Sequence, residues 1–135
     1  MLGVAEHRYG VVDHLAFERG LFPDALQAGP GVVEVGKLDI SPRDLERQRY
    51  FRSMVATCGD VVLFSTSLQP MHLYSMGEML LELSAAEQLA CDEVVNLAGD
   101  REAVLAVRSR GGSALYVGNP RTAKASMIAV RRFSP

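Results

Sequence analysis

The last third of the chain narrows the fold most. Residues 93–97, 103–107 and 113–117 are short runs rich in Val, Leu, Ala and Tyr. Gly99-Asp100 stands between the first two runs and Gly111-Gly112 between the second and third. Short β-rich runs joined by such turns predict an antiparallel meander. A meander buries its apolar face against helices or a second sheet, which makes one α+β domain the expected class.

Upstream, Ser41, Pro42 and Asp44 form a helix start. The serine caps, the proline suits the first helical position, and the aspartate answers free amides. Leu45, Phe51, Met54, Val55 and Cys58 follow at near-helical spacing, and Gly59-Asp60 reads as the end of that helix. Residues 61–64 are wholly apolar and read as a buried strand, and residues 72–74 read as its partner. Residues 76–90 support two readings. One is a helix from about Gly77, favoured by Met, Leu and Glu; the other is a strand over 78–83 with a helix starting at Ser84. Thr122 caps a last helix reaching Phe133, with a strand over 126–130 as the alternative. Near the N-terminus, residues 9–19 fit a short helix, Gly20 to Gly31 a loop, and residues 32–35 a strand. The architecture expected is a single α+β domain over residues 41–135. It has a mainly antiparallel five-stranded sheet flanked by helices in the order α-β-β-α-β-β-β-α. Residues 1–40 form an N-terminal extension.

The 135 residues are 48% hydrophobic and 22% charged, enough apolar material for a proper core. The net charge is -2, and the strongly basic stripe usual in a nucleic-acid binder is not evident. Arg43, Arg47, Arg49 and Arg52 cluster, but Asp44 and Glu46 are mixed among them, and the group reads as a solvated helix face. No apolar run reaches the roughly 20 residues of a membrane span, and the first residues lack the basic and apolar regions of a signal peptide, so the expected location is the cytoplasm. Cys58 and Cys91 have no metal-ligand spacing and read as reduced, half-buried thiols.

Chemistry-bearing motifs are sparse. His14 and Glu18 share the i, i+4 spacing seen at zinc sites, but a metal needs three or four ligands. His72, between Met71 and Leu73, reads as a strand histidine. No serine lies in a nucleophile elbow, and a cysteine at a helix C-terminus sits in a field that disfavours the thiolate. No phosphate-binding glycine loop occurs. The nearest anion site is Arg121, Thr122 and Lys124 at the start of the expected last helix. No catalytic residue, metal site or cofactor is implied. Met71, Met76 and Met79 gather around Tyr74, and with Leu80, Leu81 and Leu83 they make an apolar arc wider than one helix face buries. Simple core packing is one reading of this cluster; if the helix after Gly77 is apolar on two faces, one face must find a second chain.

The order of elements over residues 41–135 resembles the Roadblock/LC7 domain. Residues 61–75 look like that family's opening hairpin, and residues 93–133 like its closing strands and last helix. The turn Ser67-Leu68-Gln69-Pro70 departs from the family's frequent Asp-Gly, the middle helix is short, and residues 1–40 are extra. The resemblance implies a non-enzymatic, homodimeric adaptor serving a small Ras-like GTPase or a motor complex. Its dimer helix would include Met76, Met79, Leu80 and Leu83, and its joining sheet edge residues 93–97. The interface expected here is Met71, Tyr74, Met76, Met79, Leu80 and Leu83. Two rivals stand beside it: a ligand sensor of profilin-like or PAS-like shape, and a small enzyme using His72 or a cysteine.

Overall fold

The computed structural model describes residues 2–5, 8–11, 18, 22–99, 103–108, 112–118, 128 and 130. Its centre is a five-stranded sheet built from β4 (Gly31–Glu34), β5 (Lys37–Leu38), β6 (Arg52–Cys58), β7 (Val61–Thr66) and β8 (Cys91–Gly99). The spatial order is β5-β4-β8-β6-β7 and every pairing is antiparallel. Three shorter strands, β1 (Leu2–Ala5), β2 (Arg8–Val11) and β3 (Asp24–Leu26), form a separate sheet. β9 (Leu105–Arg108) and β10 (Ala114–Val117) pair as a two-stranded ribbon. The one α-helix among the described residues is α1 (Leu73–Ala86), and Pro42–Glu46 form a short 3-10 helix.

Both faces of the central sheet are covered. Met54, Ala56 and Val94 join Met76 and Leu80 of α1 in one core cluster. Val55 and Val95 point the other way and meet Leu2 of β1, with Phe64, Leu97 and Ile128 beside them. Burial on two faces explains the unbroken Met54-Val55-Ala56 run, since a doubly covered strand is apolar on successive residues.

The expected α+β class and five-stranded antiparallel sheet are present, but several elements differ. The helix expected over residues 41–58 is instead the 3-10 helix followed by β6. Met54, Val55 and Cys58 fit helical spacing only because a strand buried on both faces mimics it locally. Gly59, at φ +57, is part of the two-residue turn joining β6 to β7. Residues 72–74 are the start of α1, not a strand. Of the two readings over 76–90 the helix is correct; it begins at Leu73, and the strand over 78–83 does not form. Residues 61–64 lie in a strand, but an edge strand with half-exposed side chains. Residues 93–97 lie in β8 between β4 and β6, so they are not a free edge. Of the two expected C-terminal hairpins β9–β10 forms, whereas β8 pairs with β4 and β6 and not with β9. Within 9–19, Tyr9 to Val11 are strand and not helix; most of the rest lies outside the described residues. Residues before Ser41 supply β4 and β5 to the central sheet. The last helix or strand, over 122–133, lies outside the described residues except for Ile128 and Val130.

Candidate functional site

The outer surfaces of α1 hold the chemistry left over once the core is accounted for. His72 is the N-cap residue of the helix, and Asp44 of the 3-10 helix caps it from a distance in sequence. Asp44 is buried, and its Oδ2 accepts the Tyr74 N–H at 3.0 Å. Arg49 donates from Nε to His72 Nε2 at 3.2 Å. Arg52 donates from Nε to the Met71 carbonyl at 3.5 Å, and its guanidinium lies 5.1 Å from the Tyr50 ring centroid. Burial lowers the Arg52 pKa, while Asp44 and Tyr50 act to raise it. The strap before β6 is stitched to the segment before α1 by reciprocal backbone bonds between Tyr50 and Met71. Arg43, Arg47, Arg49 and Arg52 therefore do not share a solvated helix face: Arg43 is in the 3-10 helix, Arg47 ends it, Arg49 is on the strap and Arg52 opens β6.

At its other end α1 closes with Gln88 in the left-handed region (φ 55), the Leu89 N–H bonding the Ser84 carbonyl at 2.9 Å. That is the Schellman arrangement with glutamine where glycine usually stands. A surface cavity of about 480 Å³ opens beside this end, lined by Gly36, Leu81, Ser84, Gln88, Cys91 and Asp92 among others. It opens widely to solvent, unlike the enclosed apolar pocket a ligand sensor requires.

The expected interface residues divide by side. Met76 and Leu80 are buried against the chain's own sheet. Met71 and Tyr74 are half-buried at the helix start. Met79 and Leu83 are 57% and 42% exposed, one helical turn apart. Gly77 sits against Val32 and Leu38, and α1 lies over β4, β5 and β8. With Met76, Leu80 and Ser84 turned to the sheet, 100° steps place Gly77 and Leu81 on the β5 side and Met79 and Leu83 on the β7 side. There Leu63 is half-buried against the core cluster that holds Met76 and Leu80. Val61 and Leu63, paired with Cys58 and Ala56, share the helix-side face of β7, and Val61 is 45% exposed. Along the sequence both read as residues of a buried strand, because only the sheet order makes β7 an outer strand. Arg121, Thr122 and Lys124 lie outside the described residues.

Cys58 and Cys91, expected as reduced thiols, form a disulfide with an S–S distance of 2.03 Å across β6 and β8. They are register partners, a juxtaposition no spacing along the chain reveals. Neither is a free nucleophile, and His72 faces an arginine where a base would need an acid or a substrate. Among the described residues no group of acids, histidines and cysteines could hold a metal ion, and no helix is long and apolar enough to cross a membrane. No family model, curated protein or solved structure matches the chain.

Proposed function

We propose that this protein is a non-enzymatic interaction module that pairs with a second copy of itself through the β7 side of α1. The supporting observation is the exposure of Met79 and Leu83 on one flank of α1 together with Val61 on the outer strand β7, where Leu63 is half-buried. Five strands about 4.8 Å apart span about 19 Å between their outer members, and a helix about 10 Å wide covers half of that. The α1 flank of one copy fits the outer strand of the other, and a two-fold axis satisfies both at once. The crest of α1 carries Glu78 and Glu82 and no basic side chain, so crest-to-crest pairing brings like charges together. Flank-to-strand pairing avoids that repulsion. A small Ras-like GTPase, the partner class the resemblance implies, is the first candidate for the outward surface of such a dimer.

Light scattering on the full chain tests the pairing. Twice the monomer mass is expected, reverting to the monomer in Leu83→Glu and in Val61→Glu. A wild-type monomer at 100 µM, a concentration of about the upper range for weak dimers, ends this reading. A GTPase retained by the immobilised dimer, and released by competing soluble dimer, would extend it.

A further inference from the structure

The arginines that the pairing surface does not use converge on the start of α1. Arg49 and Arg52 each spend their Nε–H on a neighbouring residue, His72 and Met71, immediately before the helix. Their Nη groups have no hydrogen-bond acceptor among the described residues, and the Asp44 carboxylate acts on Arg52 only through space. The nearest acid, Asp44, is engaged with the Tyr74 N–H. The first intrahelical bond is Met76 N–H to the His72 carbonyl, so the Leu73 and Ser75 N–H groups have no acceptor among the described residues either.

His72 supplies an independent sign. It is 8% exposed, and its Nδ1 is buried with no hydrogen-bond partner. Because Nε2 accepts from Arg49, the proton of the neutral ring sits on Nδ1, which is therefore a donor. The ring belongs to the N-cap residue of α1, and its far nitrogen is held by Arg49. An unpaired buried N–H is rare, and an oxygen acceptor relieves it. Main-chain amides, a ring N–H and two guanidinium groups at the positive end of a 14-residue helix form a set of donors without acceptors.

We infer that the N-terminal end of α1, with His72, Arg49 and Arg52, binds a phosphate group, free or as a monoester. A tetrahedral dianion offers enough oxygens to answer these donors together, and paired guanidinium groups favour it over a single carboxylate. Glu46, Arg43 and Arg47 are exposed close by in sequence, and the arginines outnumber the acids there.

Titrating the full chain with inorganic phosphate and with phenyl phosphate, followed by ¹H–¹⁵N spectra, tests the site. Saturable shifts confined to the Leu73 and Ser75 amides and the His72 ring are expected. Sodium chloride at equal ionic strength, and acetate, should not reproduce them. Tighter binding of phenyl phosphate would assign the ligand as an ester, and equal binding as the free ion. Arg49→Gln, a change at an exposed position, should weaken binding about tenfold, the loss of one charge-assisted bond. Shifts spread over the surface, or matched by chloride, would overturn the site. So would an unchanged affinity in Arg49→Gln with the wild-type spectrum otherwise retained.

Discussion

Single residues fix how closely the layers approach. A methyl group on Gly77 would lie 2.8 Å from Val32 Cγ1 and 2.6 Å from Leu38 Cδ2. The leucine tip can turn aside, but the valine is stiff and fully buried. Gly77→Ala should therefore cost about 1–3 kcal/mol in urea unfolding despite its higher helix propensity. Glu93 shows a different constraint. Burial raises its pKa above the ordinary carboxylate range; the bond from Val35 N–H opposes this, and Glu34, Asp92 and Asp39 add to it. The native state then holds a proton that the unfolded chain has released, and stability falls as pH rises through that window. Glu93→Gln should melt higher than wild type at pH 7, and the gap should close as pH drops below the carboxylate range. A gap that does not change with pH would contradict the assigned cause. Neither residue was legible in the sequence, because each depends on what the folded chain brings opposite it. By contrast, the apolar character of Met54 and Val55 was legible, but not their division between two faces.

At the scale of elements, the sequence was read best where local chemistry decides. The β9–β10 hairpin and the helix over 77–86 follow from turn residues and helix formers. The strand at 52–58 was misread because a doubly buried strand and one side of a helix share apolar spacing over seven residues. The capping signal at Ser41 was real but began only a short 3-10 helix. Its aspartate serves another element 30 residues away: Asp44 caps α1. Asp44→Ala should cost about 1–2 kcal/mol, the usual loss for a cap, and speed hydrogen exchange at the Tyr74 amide. If exchange there stays unchanged, the cap is supplied by another group. The candidate sites shared this divide. Met79 and Leu83 were singled out in the sequence, whereas Val61 and Leu63 become part of the same surface only when β7 takes the outer position.

Across the whole molecule, the two halves of the chain interleave. β4, from the first forty residues, pairs with β8, from the last forty-five, and β8 separates it from β6. The disulfide fastens this arrangement at one end of β6 and β8. Its members are 33 residues apart, and closing a loop of that length restricts the unfolded chain by about 3–4 kcal/mol. Cys58→Ala with Cys91→Ala should lose about that much. Thiol titration of the denatured, unreduced wild type should find no free cysteine; two free thiols would show that the pair is open in solution.

The same bond turns residues 58–91, carrying β7 and α1, into a covalent ring. Leu68, 81% exposed in the loop between those two elements, offers an open point for a protease. A single cut after it would leave a full-length band on a gel run without reductant and, with reductant, fragments of 68 and 67 residues running together at about half the mass, so a nicked sample would pass as intact until its sulfurs were parted.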